Sequence, residues 1–214
     1  MSYATRSQLL SQVPRASQSR LTHDPATYLS VGIGNGVKTT FDTPFVESRT
    51  LAAEVDGVTV PGITLSRGTG SGGVDRVVFA VAPAAGAGVN VTADEDAINL
   101  TELEAALADA SDYLDGLLCG RYIVPITSDA ALRIIRIHCI LLTKWFLAQR
   151  RGIGGSYPEY EKDAEASIKY ITDAGQGDAA LPADTTRVGS PAPSASSGFV
   201  GSETVVFSQA TACL

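Results

Sequence analysis

The chain has 214 residues, a formal net charge of −7 and a pI near 4.8, which excludes a protein that wraps nucleic acid through a basic surface. Hydrophobic residues make up 44% and charged residues only 18%, so the chain is globular, with a charge-poor surface, and not disordered. Its three cysteines, at 119, 139 and 213, form no C-x-x-C pair and suit a reducing site of synthesis better than a secreted disulfide framework.

The opening MSYATRSQLL has no apolar signal region, so no targeting segment is expected. Thr5-x-x-Gln8 has capping-box spacing and predicts a short helix from Arg6 that stops by Pro14. The following SQSRLTHDP reads as polar and turn-like, and His23 within it as a surface histidine with no ligand partners.

Residues 27–96 change character. Gly and Thr rise, helix formers thin out, and short alternating runs appear. Strands are predicted near Tyr28–Val31, Thr39–Phe41, Leu51–Val55, Val58–Val60, Ile63–Leu65, Val74–Phe79 and Gly88–Thr92. Asp56-Gly57 is a two-residue hairpin signal, and the runs 67–73 and 82–88 are turns. Gly32-Ile-Gly-Asn-Gly36 and Gly68-Thr-Gly-Ser-Gly-Gly73 lack the Lys-Ser/Thr ending and the strand–loop–helix setting of a phosphate loop. A small β-sandwich or barrel follows.

Residues 97–177 are helical. Thr101-x-x-Glu104 has capping-box spacing, and Leu103, Leu107, Ala110, Leu114 and Leu117 form one apolar face. Gly120 stops that helix, Ile123-Val-Pro125 is extended, and Thr127 or Ser128 caps the next. From Leu132 to Leu147 that next helix is apolar around most of its circumference, at about 100° per residue. Its uncharged run Ile137–Thr143 is far short of the roughly 20 residues a bilayer needs. Arg133, Arg136 and Lys144 fall in one wedge of about 80° on this rod. That stripe is either the solvent edge of a core helix or a face turned to a neighbouring subunit. Ser156-x-x-Glu159, with Pro158 in the first turn, starts the last helix, which Gly175 and Gly177 end.

Residues 178–214 are rich in Pro, Ala, Ser and Gly, and read as an extended arm without a core of its own. Phe199, Val200, Val205, Val206 and Phe207 are apolar anchors on it, and Arg187 is placed to pair with an acidic partner surface. The whole is therefore an α+β chain. An N-terminal helix (1–26) and a helical core (97–177) make a small antiparallel bundle of about four helices, interrupted by a β module (27–96) and followed by the arm.

No catalytic set is legible. There is no G-x-S-x-G, no H-E-x-x-H and no Ser, His and Asp in supporting context. Asp109, Asp112 and Asp115 recur at i, i+3 and i+6, but no second cluster answers them, so they read as a solvated helix face. His138 reads as a hydrogen-bonded core or interface histidine, and Cys119 and Cys139 as buried small hydrophobes. No enzyme, metal or cofactor is expected.

Two resemblances add to this reading. The run from Gly34, Gly36, Thr39, Phe41, Pro44 and Phe45 through Val55-Asp56-Gly57 to Val77, Phe79, Ala82, Pro83, Gly86 and Val89 resembles a small β module of phage tail-fibre and other virion proteins. The remainder resembles the head-completion, or head–tail connector (adaptor), proteins of Mu-like tailed phages. That match rests on Tyr3-Ala4-Thr5, Ala106-Leu-Ala-Asp-Ala-Ser-Asp-x-Leu-Asp-Gly116, Gly120-Arg-Tyr-x-x-Pro125, Tyr157-Pro-Glu-x-Tyr-x-Lys-Asp-Ala164 and Val206-Phe207-Ser208. The β module stands where that family would have a short connection, and the ending Gln209-Ala-Thr-Ala-Cys-Leu replaces a charged tail.

The resemblance implies a non-enzymatic homo-oligomer, a dodecameric ring under the phage portal protein in the virion neck, assembled in the host bacterial cytoplasm. Such a ring extends the DNA channel and docks the next neck or tail protein (stopper or tail terminator). DNA only passes through, and no membrane is involved. The alternative is a tail-terminator or fibre-attachment virion protein that works through the β module.

Overall fold

The computed structural model describes residues 2–182 and 185–188. Among them are five α-helices: α1 (Arg6–Gln12), α2 (Arg15–Thr22), α3 (Leu100–Leu118), α4 (Asp129–Arg150) and α5 (Pro158–Gln176). Nine short strands lie between α2 and α3: β1 (Leu29–Ile33), β2 (Thr40–Asp42), β3 (Phe45–Val46), β4 (Leu51–Val55), β5 (Val58–Thr59), β6 (Thr64–Ser66), β7 (Arg76–Val78), β8 (Gly88–Ala93) and β9 (Ile98–Asn99). The α+β class and the inserted β unit are as the sequence predicts.

The β unit is a sandwich. One antiparallel sheet runs in the order β1-β8-β4-β5, the other in the order β2-β7-β6. Phe41 and Val77 from one sheet and Ala53, Val89 and Val91 from the other are buried together, with Phe79 edge-on to Phe41 at 5.7 Å. The Asp56-Gly57 hairpin closes as expected, with both residues at positive φ. The strand predicted over Val74–Phe79 shortens to Arg76–Val78 because Asp75 turns inward. Its buried carboxylate accepts the N–H of Ser48 at 2.8 Å and of Gly68 at 3.0 Å, anchoring two loops instead of a ladder.

The helical core is built on Leu103, Leu114, Leu118, Ile135, Leu142, Leu147 and Ile171, all buried. Leu132, Trp145 and Ile168 pack against it from its margin. Helices α3 and α5 approach closely at Gly175, where a β-carbon would fall 2.1 Å from the Leu117 carbonyl oxygen. So Gly175 belongs to the packing of α5, and the helix is ended by Gly177 alone, at φ 103°.

Four local expectations are corrected. The stretch read as turn-like is mostly α2, whose buried side is polar apart from Leu21: Gln18 Nε2 donates to the carbonyls of Leu10 and Val13 at 2.9 and 3.0 Å. The bundle therefore has five helices, not about four. Asn99, not Thr101, caps α3, accepting the Glu102 N–H. No side chain caps α5; a 3-10 turn over Gly154–Ser156 leads into it, and Pro158 occupies its first turn. Strands β3 and β9 had no sequence signal. Their two-residue antiparallel ladder pairs Phe45 with Asn99 and Val46 with Ile98.

That ladder matters to the architecture, because it crosses from the sandwich to the start of α3. Phe45 is fully buried in the sandwich core, whereas Ile98 belongs to the helical core. His23, expected at the surface, is 5% exposed. Its Nε2 donates to the Ala93 carbonyl at 2.9 Å and its ring meets Phe45 edge-on at 4.5 Å. Burial lowers its pKa from the ordinary histidine value.

After α5 the chain does not leave the body at once. Leu181 is buried and donates its N–H to the Tyr122 hydroxyl. Arg187 then bridges Tyr122 in antiparallel fashion: Ile123 N–H donates to Thr186 O at 3.1 Å and Val188 N–H to Arg121 O at 2.8 Å. Residues 181–182 and 185–188 thus lie on their own domain beyond the boundary at 177.

Candidate interaction surface

Helix α4 positions the predicted stripe. Ser128 caps it by accepting the Ala131 N–H, and Asp129 and Arg150 complement the two ends of its dipole. Ile135, Cys139, Leu142 and Leu147 point into the core. The rest of the circumference is covered incompletely.

The stripe lies on the least covered side. Arg133 is exposed, Arg136 and Lys144 are half-buried, and Ile137 between them is 59% exposed. Together with Gln8, Ser11 and Gln12 of α1, this side forms an open groove of 530 Å³ floored by Ile137, Ile140 and Leu141. Neither Arg133 nor Arg136 has an ion-pair partner among the described residues. The Arg136 Nε is buried without a hydrogen-bond partner among the described residues. Lys144 sits 5.8 Å from the centroid of the Tyr160 ring, and desolvation lowers its pKa while Asp163 works against that shift. The groove is apolar with a cationic rim.

Across α4 lies a second cleft, of 410 Å³, between α3 and α4. Its floor is an edge-to-face pair, Tyr113 and Phe146, with centroids 6.0 Å apart. Asp109 and Asp112 stand at its rim. The sequence did not single out this cleft, although α3 carries five carboxylates and no lysine or arginine, which is a legible signal.

The Asp109, Asp112, Asp115 series is not a cluster in space. Asp109 pairs with Arg150, and Asp115 accepts the Tyr3 hydroxyl. Desolvation raises the Asp115 pKa, with the Tyr3 hydrogen bond opposing it. No group of three His, Cys, Asp or Glu that could hold a metal occurs among the described residues.

His138 stacks on Tyr170 at 4.9 Å, but its buried Nδ1 has no hydrogen-bond partner among the described residues, unlike the bonded histidine expected; burial lowers its pKa. Cys139 is buried as predicted, whereas Cys119 is only half-buried. Arg187 is exposed on its bridge to Tyr122. The anchors Phe199, Val200, Val205, Val206 and Phe207 lie outside the described residues. No helix among the described residues is long and apolar enough to cross a membrane.

The family model described as "Bacteriophage Mu, Gp36" matches residues 82–200. This span takes in the last strands of the β unit, the helices α3 to α5 and both sides of α4. A curated relative, the "Mu-like prophage FluMu protein gp36" of Haemophilus influenzae, is 28% identical over 68 residues, which is 32% of this chain and 47% of the relative. The chain thus spans about half the length of the curated relative it matches. No solved structure matches. With more than half of its length matched by that model, the chain belongs to the Bacteriophage Mu Gp36 family, a family of phage structural or morphogenesis proteins.

Proposed function

We propose that the chain is a non-enzymatic virion protein of the phage neck, a head–tail connector that forms a ring under the portal and docks the next neck or tail protein. The observation that carries this reading is α4. It is apolar around most of its circumference, yet one side is left as an apolar groove with cations unpaired among the described residues, and Ile137 stands 59% exposed within it. A lone globular subunit does not gain from such a face, whereas a subunit flanked by copies or seated on a larger assembly buries it. The acidic balance of the chain suits a channel through which DNA slides without adhering. The anchors Phe199, Val200, Val205, Val206 and Phe207 then hold the portal or an adjacent copy, each contributing roughly 1.5–3 kcal/mol when fully buried.

The test is a chain truncated after Val188, which keeps every contact described above. The truncated subunit is expected to fold, with a melting temperature close to that of the full chain, and to be missing from completed virions. Infectious particles that incorporate it normally would refute the role of the anchors. Gold labelling of intact virions at a site other than the neck would refute the connector reading.

A tail-terminator or fibre-attachment role remains the second reading, favoured by one observation. Ile33, Val37, Val58 and Val81 are all strongly exposed. The pairings of Ile33 with Gly88 and of Val55 with Val58 and Val89 bring Ile33 and Val58 to the end of the sandwich away from the helices. The bond from Gly36 N–H to Pro83 O joins the loops that carry Val37 and Val81.

A further inference from the structure

Charge on helices α3 and α4 is separated. Helix α3 carries Glu102, Glu104, Asp109, Asp112 and Asp115 and no cation, whereas α4 carries Arg133, Arg136, Lys144 and Arg150 against Asp129 alone. Much of this is answered inside the chain. Arg6 pairs with Glu104, Arg150 pairs with both Glu102 and Asp109, and Tyr3 donates to Asp115. Two remainders are left. Asp112, at the rim of the aromatic cleft, is exposed and has no ion-pair partner among the described residues. On α4, Arg133 and Arg136 are likewise unpaired among the described residues, and Lys144, without an ion pair there, lies near the Tyr160 ring and the charge of Asp163.

The two remainders lie on opposite flanks. At about 100° per residue, Phe146, Gln149 and Arg150 point roughly 150° away from the direction shared by Arg133, Ile137 and Lys144. Each flank also has an unburied apolar element: Ile137 on the cationic side, and Tyr113, 40% exposed against Phe146, on the acidic side. The surfaces are complementary in charge and both hydrophobic at the centre. Arg150, which also lines the cleft, is neutralised there by Glu102 and Asp109, so a guanidinium entering it meets the Asp112 carboxylate and the Tyr113–Phe146 pair, and both attract it.

We infer that the α3–α4 cleft of one copy receives the Arg133–Arg136–Ile137 stripe of a second copy, head to tail. The pairing uses two different surfaces, so it is heterologous and propagates until it closes. It deepens the ring reading above and rests on it for closure, though not for the contact itself.

Charge exchange tests the contact in the full chain, with particle mass measured over a concentration series at low and moderate salt. R133E/R136E and D112K are each expected to weaken association roughly tenfold or more. The same three changes combined in one chain restore complementarity and are expected to recover most of the loss. Raising the salt concentration should weaken the native contact. Because Arg136 is half-buried, R133E alone, at an exposed position, serves as the second variant, and melting curves verify that each protein is folded. A wild-type chain that stays monomeric, swaps without effect, or a combined variant no better than the single ones would overturn the inference. Rings that persist despite the swaps leave the connector reading intact and remove only this contact. Swaps that act as expected on a protein found elsewhere in the virion do the reverse.

Discussion

The Tyr3 hydroxyl donates to the Asp115 carboxylate and accepts the Ile126 amide N–H at 2.8 Å. One side chain thereby ties the N-terminus to the last turns of α3 and to the loop that enters α4. The Tyr3 N–H adds a bond to Ser111 Oγ at 3.1 Å. Burial, reinforced by the Asp115 hydrogen bond, raises the tyrosine pKa, so the hydroxyl stays protonated and remains a donor.

Tyr3→Phe keeps the ring and removes this junction. The buried Ile126 N–H loses its acceptor and Asp115 loses its donor, at an expected cost of about 1–3 kcal/mol. Asp115→Asn leaves Tyr3 an acceptor and removes a partly desolvated charge, so its expected loss is smaller. Urea denaturation of the two variants checks the order; an Asp115→Asn loss equal to or above that of Tyr3→Phe would contradict this account.

His23 and His138 give the fold a pH dependence of definite sign. Burial lowers both pKa values below the ordinary histidine value of 6.5, so the folded state binds fewer protons than the unfolded chain. Their contribution to stability is present above pH 6.5 and is lost as the pH falls below it. Asp115 acts in the opposite sense and lower: its raised pKa favours the folded state on acidification, an advantage lost as the pH rises through its folded value. The free energy of unfolding should therefore fall between pH 7.5 and 5.5. His23→Gln with His138→Gln should flatten that slope. An unchanged slope in the double variant would assign the pH dependence to other groups.

How much of this was legible depended on the range of each interaction. Helix α4 was plain, because Ile135, Leu142 and Leu147 recur at helical spacing and the burial follows that spacing. The Asp56-Gly57 hairpin was plain for the same local reason. Helix α2 was not, since Gln18, Ser19 and Thr22 are buried by hydrogen bonding and leave no apolar period to read. His23 finds its acceptor at Ala93, 70 residues away, and nothing local announces that contact. The cleft of Tyr113 and Phe146 likewise exists only once α3 and α4 are in register. The arginine stripe was legible as a stripe, but its lack of ion-pair partners among the described residues required knowing where Arg150 and Arg6 spend their charge.

Ile135 tests the placement of the helical core. It is fully buried among α3, α4 and α5, so Ile135→Asp puts a carboxylate where no partner stands. The expected loss is several kcal/mol, enough to unfold a marginally stable domain. A soluble variant melting at the wild-type temperature would show that this side of α4 is not the core side.

Phe45 tests how the sandwich and the helices share stability. It is fully buried, fills the sandwich core beside Phe41, carries the edge of His23, and pairs through β3 with β9 at the entrance to α3. Val46, next to it, already packs against the helical core. Phe45→Ala removes the ring from all of these contacts and leaves a cavity, at an expected cost of about 3–5 kcal/mol. If the sandwich were a separate unit, that cost would fall on its strands alone. Because β3–β9 and the His23–Ala93 bond cross between the units, the loss should reach the helices as well. Native-state hydrogen exchange distinguishes the two cases residue by residue. Amides of β8 and of the first turns of α3 should lose protection together in Phe45→Ala. Loss confined to the strands, with α3 as protected as in the parent chain, would mean that the two cores fold independently and that the two-residue ladder only touches them.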